Sequence, residues 1–111
     1  MKAFFVPVEG ESKIVELSKD DDERFKQLQK YVGGQFEKMD KFYKHKNLKK
    51  FDVLFNEEGK IKKLKPNNSM DNFCHMDIDG NAIIVKHNDG GDIVSLTDKD
   101  IELIKSLNIP F

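Results

Sequence analysis

Cys74, His75, Asp77 and Asp79 crowd into one short stretch, and thiol, imidazole and carboxylate are the groups that bind transition metals and carry covalent catalysis. Their spacing does not serve either chemistry. Zinc sites pair their ligands at short fixed intervals, whereas here there is one cysteine and the other histidines, His45 and His87, are far away in sequence. Cys74 and His75 are adjacent, so on extended chain their side chains point apart, and a base must meet its thiol in space. The run Asp77-Ile78-Asp79-Gly80 opens like a calcium loop. It lacks a third oxygen ligand before the glycine, and Asn88 stands where the closing bidentate glutamate belongs. No metal and no cofactor is expected from these residues, and an ordinary loop with a Gly-containing turn accounts for them.

The second candidate group is carboxylate. Glu37, Glu57 and Glu58 are of the type that does general acid and base work, which requires one of them to be held in a pocket that raises its pKa. The alternative is a solvated turn, with Glu37 hydrogen-bonded to backbone amides nearby. The third group is cationic. Residues 38–65 contain ten lysines against four acids, near +6, within a chain whose formal net charge is -1. Inside that segment "KFYKHKNLKKF" interleaves aromatic side chains with lysines, a combination that stacks bases and holds phosphates in single-strand binders. Lys41, Tyr43, Lys44, His45, Lys46, Lys49 and Lys50 are the residues such a nucleic-acid or nucleotide site would use. Two facts oppose it: Phe42 and Phe51 suit a core equally well, and arginine, the best base reader, occurs once against eighteen lysines. There is no P-loop, dinucleotide fingerprint or nucleophile elbow.

The elements that must position these groups follow from periodicity. A chain of 111 residues is the size of one domain, residues 1–111, and 38% apolar with 35% charged residues is a globular composition. No apolar run reaches the length of a membrane span. One cysteine allows no internal disulfide and suits a reducing compartment, so a cytoplasmic location is expected. Lys2–Val8 and Lys13–Leu17 read as a hairpin around Glu9-Gly10-Glu11-Ser12. From Ser18, a capping residue, the acidic run Asp20–Glu23 leads into a helix with Phe25, Leu28, Tyr31 and Val32 on one stripe. Gly33 then suits a left-handed cap and Gly34 the reversal behind it. Gln35–Tyr43 reads as strand, and "FDVLF" (51–55) as a half-buried or fully buried strand. "NEEGK" reads as a turn with Gly59 at a positive φ, and Ile61–Lys65 as a short strand ended by Pro66. Residues 67–80 read as polar loop, "NAIIVKH" as strand, Ile93–Ser95 as a short extension, and Thr97 as the cap of a closing helix bearing Ile101, Ile104 and Leu107. The expected fold is α+β: an antiparallel sheet of about five strands with two helices packed mainly on one face.

Three pieces in this order, "LQKYVGGQFE", "FNEEGKIKKLKPN" and "GDIVSLTDKDIELI", resemble the motifs of the domain of unknown function 3846 family. The resemblance runs from about Ile14 onward, and the stretch between Glu37 and Phe51 is longer than the family's usual link. It implies a compact α+β domain of bacteriophages, large DNA viruses or bacterial mobile elements, working inside the cell that carries it, and brings no established activity with it. Under this reading Gly33, Gly34, Glu37 and Gly59 build structural turns. The function expected is that of a small non-enzymatic binding protein of viral or mobile-element origin acting on a host macromolecule, with a host protein as the first partner. Nucleic-acid or nucleotide binding through the lysine segment is the second reading, and a hydrolase using Glu37 or the Glu57/Glu58 pair the third. No membrane partner is expected, and the sequence leaves the oligomeric state open.

Overall fold

A computed structural model describes residues 1–39, 48–75 and 77–107. Among these residues there are six strands and two α-helices: β1 (Lys2–Val6), β2 (Lys13–Glu16), α1 (Asp21–Val32), β3 (Phe36–Lys38), β4 (Phe51–Asn56), β5 (Ala82–His87), β6 (Ile93–Val94) and α2 (Asp98–Ser106). The class is α+β, with every strand pairing antiparallel. The order is β2-β1-β5-β4-β3. Short β6 continues the β1 side of β5: Lys86 pairs with Phe51 across one edge and with Val94 across the other.

Alternation along the three central strands sorts the core into two layers. Phe4, Val6, Phe51, Val53, Phe55 and Ile84 face one way, onto Ile101 and Ile104 of α2. Ala3, Leu54, Ile83 and Val85 face the other way, onto Leu28 and Val32 of α1. The helices therefore take opposite faces, where a shared face was expected. The reason is visible in β4, all six of whose residues are buried, Asp52 and Asn56 included. A strand buried on both sides needs a cover on both sides.

Residues 67–75 and 77–80 add to the cover over the α2 face, which corrects the reading of 67–80 as polar loop. A short 3-10 helix, Asn68–Asn72, drops Met70 into the core, and Phe73, Cys74 and Ile78 follow. Asn67 anchors the segment by donating to the carbonyls of Val6 (2.9 Å) and Gly80 (3.0 Å). Ile61–Lys65 is a further correction: Ile61–Lys63 is turn rather than strand, and the pairing follows it, as an isolated antiparallel bridge between Pro66 and Asp79. Lys63 takes a positive φ of 55° there.

Both helices begin on side-chain caps. In α1 the cap is Asp20, whose carboxylate accepts from the Glu23 N–H (2.9 Å); Ser18, the expected cap, instead accepts from the Asp20 N–H. In α2, Thr97 and Asp100 form the reciprocal capping box its sequence announces. Asp100 also receives Lys86 Nζ at 2.9 Å, joining the helix start to β5.

Candidate functional site

The two glycine-bearing motifs meet. Gly33 adopts φ 81°, ψ 24°, and the N–H groups of Gly33 and Gly34 both reach the Gln29 carbonyl, so α1 ends in a left-handed cap as its sequence indicates. Asn56, at the end of β4 and 3% exposed, joins this cap to the next turn. Its Nδ2 donates to the Val32 carbonyl (3.2 Å) and its Oδ1 accepts from the Glu58 N–H (2.8 Å). A Cβ on Gly34 would lie 3.1 Å from Asn56 Nδ2, so the second glycine makes room for that side chain. Gly59 has no positive φ, contrary to expectation; it is small because a Cβ would sit 2.6 Å from the Asp79 carbonyl oxygen. This junction fixes β3, which starts two residues after the glycine pair.

β3 is one of the two end strands of the sheet order, β2 being the other, and among the described residues nothing pairs with its outer side. Gln35 O accepts from Glu57 N, and Met39 N donates to Val53 O, so the odd-numbered residues bond inward to β4. By antiparallel alternation the N–H and C=O groups of Phe36 and Lys38 point outward, and among the described residues none meets them. The strand also has a cleft on each face. On the α1 face a cleft of about 290 Å³ runs between Phe25, Phe36, Lys38, Leu54 and Ile93. Phe25 is 48% exposed although its ring packs 5.3 Å from that of Phe36. On the α2 face a smaller cleft of about 160 Å³ is bounded by Glu37, Phe55, Glu57, Ile61, Asp77 and Asp79. Ile61 is 81% exposed at its rim. An open backbone edge thus lies between two concave surfaces, each with a large apolar side chain left in water.

The α1-face cleft continues into a polar end where Lys38 and Asp52 meet His87 and Asp89. His87 Nδ1 lies 2.9 Å from Asp52 Oδ2, with the two side chains largely covered. The pair clips the end of β5 to β4 and fixes the imidazole's orientation.

The profile of the family described as Domain of unknown function (DUF3846) matches residues 1–108. The chain belongs to this family. No curated protein and no solved structure matches it. In this DUF3846 chain the motif residues Gly33, Gly34 and Gly59 are structural, with the roles just given. Glu37 lies exposed on β3, and its carboxylate makes no hydrogen bond among the described residues, so the expected tie to turn amides is absent. Glu57 and Glu58 are exposed on the turn, Glu58 beside Lys62 (3.6 Å). Cys74 is buried with its Sγ 3.5 Å from the Met70 carbonyl, while His75 is exposed. Of the proposed cationic site, Lys41, Tyr43, Lys44, His45 and Lys46 lie outside the described residues. Lys49 is exposed, and Lys50 is exposed with its Nζ 3.3 Å from Asp89.

Sequence reading missed Asn56, the Phe25–Phe36 pair and the Asp52–His87 pair. Asn56 stands inside the quoted motif, but only its burial reveals it as the tie between two turns. Phe25 lies on the apolar stripe of α1, yet near the β3 edge its ring packs on Phe36 and stays 48% exposed.

Proposed function

We propose that this DUF3846 protein is a small, non-enzymatic binding protein that takes up an extended segment of a partner protein along β3. The observation that carries the reading is the outward-facing backbone of Phe36 and Lys38 between two clefts. Strand addition uses such an edge: backbone hydrogen bonds supply attachment, and clefts receiving alternate side chains supply selectivity. Magnitudes show that both parts are needed. Four outward groups, at roughly 0.5–1.5 kcal/mol net each, give about 2–6 kcal/mol, which falls short of the roughly 4–15 kcal/mol cost of association over most of that range. Burying the exposed parts of Phe25 and Ile61 contributes about 1–2 kcal/mol each on top. In the setting the family resemblance implies, the partner is a host-cell protein.

Lys38→Pro tests this. Its N–H points away from β4, so proline there removes an outward donor and leaves the β3–β4 bonds in place, the arrangement in which edge strands tolerate proline. The variant should keep the melting transition within a few degrees and lose a partner captured by the wild type, as should Phe25→Asp. A partner held equally by both variants overturns the reading. Binding that ignores Lys38→Pro but falls steeply with salt would instead favour nucleic acid on the lysine segment.

A further inference from the structure

We infer that the segment accepted by β3 presents a lysine or arginine opposite Glu37 and an apolar side chain opposite Phe36. The inference rests on the strand-addition reading and names the partner's chemistry. With Phe36 and Lys38 bonding outward, Glu37 falls in the non-hydrogen-bonded register position toward any added antiparallel strand. Side chains facing each other there approach to about 4.5–5.5 Å between Cβ atoms, close enough for charge to select.

The surroundings of Glu37 fix the sign. Among the described residues, its cleft is lined by the acidic Glu37, Glu57, Asp77 and Asp79 against one cation, Lys60, which is already 3.1 Å from Asp79. An incoming carboxylate meets repulsion there and an incoming cation finds a partner. One residue along, the added strand turns its side chain to the other face. That side chain lands beside Phe36 and the exposed Phe25 ring, which is apolar ground. Because the added strand runs opposite to β3, its basic residue precedes its apolar one.

The same geometry disfavours a second copy of this chain as the occupant. Two β3 strands paired antiparallel about Glu37 would set Glu37 directly opposite Glu37 of the other copy, and Phe36 opposite Lys38. Like charges directly opposed across a sheet are destabilising. A foreign, basic segment satisfies what self-pairing violates.

The experiment is selection from a random heptapeptide display library, run in parallel on the wild-type chain and on Glu37→Lys. Amide hydrogen exchange then locates the enriched peptides. Wild-type selections should converge on a basic residue followed by an apolar one, protect the Phe36 and Lys38 amides, and bind Glu37→Lys at least about tenfold more weakly. The Glu37→Lys selection should converge on an acidic residue at the same place. Peptides that protect those amides without a charge preference overturn the inference and leave strand addition standing. Peptides that bind without protecting them, or a library that yields none, overturn both. The Glu37 side chain is exposed and its carboxylate makes no hydrogen bond among the described residues, so the substitution should leave the fold intact, and matching thermal melts verify it.

Discussion

Asn56→Ala should cost this fold a large part of its stability, although the side chain is small and carries no charge. Alanine removes the donor to the Val32 carbonyl and the acceptor from the Glu58 N–H. Two net hydrogen bonds amount to roughly 1–3 kcal/mol, and a carbonyl left buried without a partner adds about 1–3 kcal/mol. Together these predict a loss of about 2–6 kcal/mol from a total that for such domains is roughly 5–15 kcal/mol. At roughly 4–8 °C per kcal/mol, the melting temperature falls by at least about 8 °C. Urea titration followed by far-ultraviolet circular dichroism is the assay, since the chain has no tryptophan. Asn56→Asp separates the two bonds: it keeps the acceptor for Glu58 and turns an oxygen toward the Val32 carbonyl, so it should lose at least as much. A loss below about 1 kcal/mol for alanine, with an unchanged slope, would refute the view that this side chain ties the end of α1 to the β4 turn. Tolerance of aspartate would show that the Nδ2 donor does not matter.

Two further outcomes follow from the packing. Gly59→Ala should destabilise by about 1–3 kcal/mol in the same urea assay, because its Cβ meets backbone, the Asp79 carbonyl, at 2.6 Å and nothing nearby is free to swing aside. Asp100 is pushed upward in pKa by burial, but the Thr97 amide and hydroxyl and the Lys86 ammonium together outweigh that, and its pKa lies below the ordinary carboxylate range. A depressed folded-state pKa means that its contribution is complete above the unfolded value of about 4 and is lost as pH falls through the folded value. Stability measured from pH 7 to pH 2 should therefore show an acid-side decline that Asp100→Asn flattens, at a cost of about 1–2 kcal/mol at neutral pH.

The parts of the fold written in local pattern were legible in the sequence: the β1–β2 hairpin, the stripe and glycine cap of α1, and the Thr97 box of α2 are all short-range devices. What escaped depended on contacts distant along the chain. "FDVLF" left open whether one or both faces of β4 were covered, and that ambiguity decides where the helices go. Met70, Phe73, Cys74 and Ile78 sit among Asn, Asp and Ser, so no period marks them as core. Gly59 was legible as a position needing glycine but not for its reason, since Asp79 is twenty residues away. The candidate site is an edge, and only strand order reveals an edge. Glu37 was picked out by its place behind the glycine pair, while the register that gives it a direction is a property of the folded sheet.

The position of β5 also governs when this fold can exist. It pairs with β4, β1 and β6, and Ile83, Ile84 and Val85 supply the middle of both core layers. During synthesis the β1–β2 hairpin, α1 and the β3–β4 pair all leave the ribosome before it, each with an apolar surface awaiting the same absent strand. The β1–β5 pairs, such as Phe4 with Ile84, are far apart along the chain, and closures of that reach are slow. Until residues 82–87 emerge the nascent chain is a set of unsatisfied sheet edges, the state in which chaperones are needed most.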